Sequence, residues 1–381
     1  MNIPYEERRR SFLSCLYSMQ ESLPGLLAMF FIALFSNNLA GSPNPLTLEN
    51  LFSWLDAVIG PVHHQPLFQI LNSNFVWNPF LMGLVIGNVF GVPDSWKRGL
   101  SYIHILMPLG IIMLAPHFVF SHAEKAGMPL ILLAFAVMLF TAAVTLVLGR
   151  LLRMDDRHYS TIAGALSTGD PHVVAILMPM LKSKGGQVIN ALGCILLFGL
   201  VASFLLPLLG HALNMDDKAF AVLSVFGIGN TGQMFNAAFG YSYEAGHWAH
   251  YVEPLRHALM PAGFLFVFVV MFVRSRMFAD EPSVMAARAH KRFPLFVTVF
   301  IIVWIVVQFH VVKEPAHLAV FELVKWDFSL AAAALGLSLS LRDIAEWGFK
   351  GLALAFAAGI LRIAVLVICL LAAASLKFPI I

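Results

Sequence analysis

Charge is what this sequence has least of. Only 12% of its 381 residues are Asp, Glu, Lys or Arg, against 59% hydrophobic. A soluble domain carries roughly 25% charged and about 45–50% apolar residues. So little charge cannot coat a water-facing surface of this size, which excludes a soluble enzyme, a disordered chain and a nucleic-acid reader. Cysteine is scarce too: Cys15, Cys194 and Cys369 stand far apart without ligand spacing. They read as small core residues, with no disulfide framework and no metal site expected. There is no HExxH, no pair of mid-membrane aspartates and no Ser/His dyad at helical spacing. Nucleotide-binding signatures are missing as well. Neither a membrane-embedded enzyme nor an ATP-driven pump is expected, and no cofactor is implied. No small-residue cleavage site follows the first apolar stretch, so that stretch reads as a retained helix.

What the chain does have is long apolar runs. A bilayer core about 30 Å thick needs around 20 apolar residues per helix. Eleven segments are expected to cross: 22–41, 74–92, 100–119, 127–152, 160–182, 189–213, 218–240, 248–274, 292–312, 326–345 and 348–376. Segment 46–72, broken by Asp56, Gly60, Pro61 and Pro66, reads as an amphipathic connection on the outer face. The expected class is an all-α membrane protein of about eleven spans. Residues 1–21 form a cytoplasmic tail, 22–273 a first helix group, 274–292 a basic cytoplasmic loop and 293–381 a second helix group. With the N-terminus inside, sixteen Lys and Arg fall on the cytoplasmic side, Lys218 among them. Six fall outside, including Lys182 and Lys184. That asymmetry favours an inner-membrane protein with the N-terminus in and the C-terminus out.

Leu106-Met107-Pro108-Leu109-Gly110-Ile111 weakly resembles Ala333-Ala334-Leu335-Gly336-Leu337-Ser338, seven spans later. An odd separation makes the copies inverted, as in secondary transporters. The two polar spans described next, the fifth and seventh, would however run in the same direction under this count.

The first polar interruption is Ala163-Gly164-Ala165-Leu166-Ser167-Thr168-Gly169-Asp170-Pro171-His172. Pro171 removes an amide donor and disfavours helix at Asp170. A helix restarting there exposes amides that attract anions, or is capped by Asp170 itself. An acid in mid-span costs about 2.5–3.5 kcal/mol on insertion scales, which favours a functional role; Asp170 and His172 are read as ion-coupling residues. The second is Gly227-Ile228-Gly229-Asn230-Thr231-Gly232-Gln233-Met234-Phe235-Asn236. Close packing through small residues accounts for its glycines, while Asn230, Thr231, Gln233 and Asn236 suggest a polar cavity. Arg256 either pairs with Glu253 three residues earlier or donates charge-assisted hydrogen bonds to an oxyanion; Arg362 is a similar, weaker candidate. Expected substrate-binding residues are therefore Ser167, Thr168, Gly169, Asn230, Thr231, Gln233, Asn236 and Arg256.

Gly83-Leu84-Val85-Ile86-Gly87-Asn88, Leu106 to Ile111, Asn230 to Gly246, Arg256 and Ala334 to Ser338 follow one another in an order that resembles the YeiH, or UPF0324, family of multi-pass membrane proteins, often labelled sulfate exporters. The resemblance runs from about residue 75 to the C-terminus and rests on order and spacing. It implies a helical bundle related to bile-acid-symporter and sodium/proton-antiporter folds, with discontinuous helices at the substrate site and, by analogy of fold, a homodimer. Two stretches depart from the family. Leu166 to His172 replaces its Ser-Ile-Cys-Gly-x-Ser-Ala, and Gly229-Asn230 replaces its His-Asp or His-Glu. An acid and an imidazole have moved from one broken helix to the other, where they would face the same cavity from the opposite wall.

The expected function is secondary transport or export of a small anion, sulfate-like or organic, coupled to protons or sodium. The alternative is a monovalent cation/proton antiporter in which Asp170 is the exchanging carboxylate.

Overall fold

The computed structural model describes residues 5–39, 45–71, 73–118, 127–170, 172–277, 293–309, 314–339 and 349–376; they are helical, with no named strand among them. Helices satisfy their own backbone polar groups, which a bilayer demands of any spanning segment. The first helix, α1, runs Tyr5–Ser36, so the expected tail 1–21 is helical from Tyr5. Then come α2 (Leu48–Ile59), α3 (Leu67–Ile70), α4 (Trp77–Val89), α5 (Asp94–Leu100) and α6 (Ile103–Leu114). After α7 (Met128–Leu151) come α8 (Asp156–Thr168), α9 (His172–Leu181), α10 (Gly185–Ala212), α11 (Asp217–Gly227) and α12 (Thr231–Tyr241). The chain ends with α13 (Tyr243–Met277), α14 (Leu295–Val307), α15 (Glu314–Leu337) and α16 (Lys350–Ser375). α13 runs on to Met277, past the expected start of the basic loop at 274, and 278–292 lie outside the described residues.

Among the described residues, five helical stretches are long and apolar enough to cross a membrane: Asp94–His117, Met128–Leu151, Gly185–Ala212, Tyr243–Arg274 and Lys350–Ser375. Their outer faces carry exposed Leu132, Phe204, Leu208 and Ile368, a belt suited to lipid. Segment 46–72 holds α2, which begins at a Thr47 cap and buries none of its side chains.

Segment 160–182 differs most from expectation. α8 and α9 are 13 and 10 residues long, about 20 and 15 Å at 1.5 Å per residue. They fold back on each other. Arg157 Nη1 donates to Lys182 O at 3.0 Å, and the Thr161 and Ser183 hydroxyls lie 2.8 Å apart. The base of this hairpin is pinned to the start of α10, where Gln187 Nε2 donates to Asp155 Oδ1 at 2.8 Å. α10 then carries the chain to the other end, where α11 and α12 make a second hairpin. Tyr241 OH donates to Met215 O, Ser242 Oγ donates to Asp217, and the Phe220 and Tyr241 rings stack 4.0 Å apart. α13 returns the full distance, so that Arg274 meets Asp156 and Tyr159 at the base of the first hairpin. The two hairpins thus point toward each other from opposite ends, unlike the common direction of the sequence count.

Lys182 and Lys184 therefore share an end with Arg157, and Lys218 belongs to the other. Lys350 Nζ reaches Leu152 O, and Arg98 pairs with Glu21. One end gathers the basic residues; Lys218, stacked on Trp248, marks the opposite end.

Candidate functional site

The hairpin tips meet. Gly169 ends α8 in the left-handed region at φ 69°, and Gly229 follows α11 at φ 87°. Each backbone occupies the place where the other's Cβ would stand. Only glycine tolerates both the backbone angle and the approach. Past the tips, the chain restarts as helix on both sides. Asp170 Oδ1 accepts from His172 N at 2.8 Å, capping α9, and Asn230 Oδ1 accepts from Gln233 N, capping α12. Pro171 lies outside the described residues.

The four ends of these half-helices sort by polarity. On one side the C-terminal carbonyls of α8 and α11 converge on Arg362, whose Nη1 donates to Leu166 O at 2.5 Å and whose Nη2 donates to Gly227 O at 2.5 Å and Ile228 O at 3.2 Å. A cation there opposes the negative ends of two helix dipoles. Arg362, expected as a weak substrate ligand, is a clamp. On the other side the N-termini of α9 and α12 flank Arg256. Its Nη1 donates to Thr168 O at 3.3 Å, and its Nη2 donates to Thr231 Oγ1 at 3.1 Å and His257 Nε2 at 3.2 Å. Because arginine only donates, His257 accepts through Nε2 and its Nδ1–H points at Glu253 O. Asp170 Oδ2 and Glu253 Oε1 each lie 3.8 Å from the guanidinium, and Nε has no partner among the described residues. These are ion pairs without hydrogen bonds.

A cavity of about 460 Å³ opens beside this cluster. Its polar wall is Asp170, His172, Thr231, Glu253, His257 and His117; Phe75, Phe118, Phe321 and Phe328 are among its apolar lining. The lining comes from the first half of α13 and the far end of α6, which places the cavity in the half away from the basic end. His172 Nδ1 lies 2.6 Å from Asp170 Oδ1. Against an ionised carboxylate Nδ1 carries a proton, so that in the neutral imidazole Nε2 is an acceptor and in the cation a donor. That Nε2 has no partner among the described residues.

Of the ten residues expected at the site, Asp170, His172 and Thr231 line the cavity, and Arg256 stands directly behind it at 1% exposure. Thr168 contributes its carbonyl, Gly169 its turn and Asn230 a cap. Three expected substrate ligands lie elsewhere. Ser167 Oγ donates to Gly164 O within its own helix. Gln233 Nε2 donates to Leu196 O and Asn236 Nδ2 to Ser203 Oγ, so both bind α12 to α10. Helical periodicity explains this. Residues 233 and 236 share one face of α12, and 231 lies on another. The sequence reading missed His117 at the cavity and treated Glu253 and His257 only as neighbours of Arg256. It also missed Asp327. Placing the tenth span at 326–345 put that acid at a membrane edge, whereas α15 begins at Glu314 and holds it in mid-helix.

Comparison with known proteins agrees with the sequence resemblance. The family model described as Conserved hypothetical protein 698 matches residues 24–355. A UPF0324 membrane protein of Nitratidesulfovibrio vulgaris is 27% identical over 348 residues, covering 89% of this chain and 90% of its own. The chain belongs to the UPF0324 family. The UPF0324 inner membrane protein YeiH of Salmonella typhimurium is 28% identical over 287 residues, covering 73% of this chain and 79% of its own. A UPF0324 protein of Bartonella henselae is 22% identical over 331 residues, covering 86% of each chain. No solved structure matches. This UPF0324 chain is a helical membrane protein.

Proposed function

We propose that the protein is a secondary transporter of a small anion taken up with protons, and that the cavity at the hairpin tips is its substrate site. The observation carrying this reading is the meeting of two re-entrant tips, Gly169 on Gly229, beside a cavity backed by a buried arginine. Irregular backbone at membrane depth is tolerated where it lines a cavity, and helix ends pointing into such a cavity are how transporters hold ions.

The charges explain the coupling. Arg256 faces Asp170 and Glu253, which sums to one negative charge when the histidines are neutral. Two helix N-termini add about half a positive charge each, bringing the cluster near zero. A proton on His172 converts the free Nε2 from acceptor to donor and makes room for one anionic charge. Arg256, held 3.8 Å from both carboxylates, then shifts its field toward the ligand. The segments α7 to α9 and α10 to α12, each a long helix followed by a hairpin, are the two halves of an inverted repeat, and alternating access moves one group of helices against the other. This takes the place of the eleven-span count, with the basic end cytoplasmic and the chain in an inner membrane as YeiH is named.

Two carboxylates on one wall favour a second reading, exchange of a monovalent cation for protons at Asp170. Proteoliposome flux decides. Under the anion reading, an acid-outside gradient drives uptake of one member of an anion panel, and Asp170→Asn keeps anion binding while abolishing the response to the gradient. Cation exchange that is lost in Asp170→Asn, with no anion bound by either form, would establish the second reading. Absence of all flux, together with turnover of a lipid or peptide, would end the transport assignment.

A further inference from the structure

Asp327 is a buried acid that the site above does not use. It sits in the middle of α15, about 20 Å along a helix of 24 residues at 1.5 Å per residue. The residue is 6% exposed; among the described residues its Oδ2 has no hydrogen-bond partner and no ion pair to it occurs, the Gly110 backbone N–H being the polar group that faces the carboxyl. Among the described side chains the surrounding elements offer no counter-charge. On α15 itself, Glu322 and Lys325 pair with each other at 2.7 Å. α4 holds no titratable side chain. His104 lies in the first turn of α6, six positions before Gly110, and His117 follows α6 with its ring against Phe321. On α1, Glu21 pairs with Arg98 at the basic end. Space for the carboxylate comes from Gly110 on α6, where an added Cβ would collide with Asp327 Oδ2.

An isolated ionised carboxylate in a low-dielectric interior costs far more than protonating it, so such a group neutralises. We propose that Asp327 is a proton-binding site of this protein, loaded in the conformation described and unloaded when α6 moves. The α6 backbone has a weak point there. Pro108 removes one helical hydrogen bond two residues before Gly110. One turn after Gly110, Leu114 lines the cavity, as does Phe328 beside the acid. Motion of α6 against α15 would admit water to Asp327 and reshape the cavity together. The wall opposite the hairpin tips thus carries its own proton, separate from His172 and Asp170. The coupling role rests on the transport reading; the bound proton rests on geometry alone.

Infrared spectroscopy of the full protein in lipid tests the proton directly. At neutral pH the wild type should show a protonated-carboxyl carbonyl band that vanishes in Asp327→Asn and persists in Asp170→Asn. Asp327→Asn is isosteric with the neutral acid and should keep the wild-type thermal transition. Gly110→Ala supplies an independent variant, whose Cβ should displace Oδ2 and shift the band. No band at neutral pH, a band unchanged in Asp327→Asn, or a band unmoved by a folded Gly110→Ala would overturn the proposal. Absence of anion flux in the wild type would count against the transport reading alone and leave the infrared result as the measure of the site.

Discussion

Replacing Arg362 by methionine should be among the most destabilising single changes in the protein. The guanidinium is 1% exposed and is shared between Leu166 O on one hairpin and Gly227 O and Ile228 O on the other. Methionine fills a similar volume but leaves Gly227 O and Ile228 O without a donor, while Leu166 O keeps the Gly169 N–H at 3.2 Å; each buried unsatisfied polar group costs about 1–3 kcal/mol. Release of a buried charge offsets part of that loss, although breaking a buried charged arrangement from one side still costs about 3–5 kcal/mol. A net loss of about 3 kcal/mol is therefore expected. Arg362→Lys should fall between, because an ammonium is a point charge that cannot span two helix ends as a planar fork does. Unfolding of purified protein in mixed micelles, followed by circular dichroism, measures both variants against wild type. If Arg362→Met unfolds within about 1 kcal/mol of wild type, the clamp contributes nothing net and the two tips are held by glycine contact alone.

Gly229→Ala should be worse than its size suggests, because the left-handed angle alone costs about 1–2 kcal/mol and the new Cβ lands on Gly169; loss of monodisperse protein in size-exclusion chromatography checks it, and a wild-type elution profile would refute the tip-to-tip contact. Asn236→Leu and Thr231→Val separate packing from the site. The first removes an interhelical hydrogen bond to Ser203, worth about 0.6 kcal/mol on average in membranes, and should leave ligand binding unchanged. The second removes the hydroxyl between Arg256 and Glu253 and should weaken anion binding about tenfold at unchanged stability, as read by isothermal titration. The reverse pattern would move the site to the α10 face of α12.

Some of the site was legible because its cause is local. Glycine beside an acid at mid-membrane depth marked the break at Gly169 and Asp170, and clustered glycines with polar neighbours marked the one at Gly229. Each break is where the helix stops. Arg256 stood out as a charge in an apolar run and is buried between the tips. Direction was not legible. A run of apolar residues from 160 to 182 has the length of one crossing or of two half-crossings, and hydropathy is the same for both. That one ambiguity put Lys182, Lys184 and Lys218 at the wrong ends.

Composition by itself settled that this chain is a helical membrane protein, since 12% charge cannot clothe it in water, and local chemistry settled where its helices break. Only the tertiary structure decided that the two broken runs are hairpins from opposite ends, that their C-termini share Arg362 while their N-termini flank Arg256, and that Gln233 and Asn236 face a neighbouring helix. Those outcomes depend on which surfaces meet across scores of intervening residues. Backbone carbonyls and glycine Cα atoms make the decisive contacts, and every residue carries a carbonyl, so no pattern of side chains along the chain announces them.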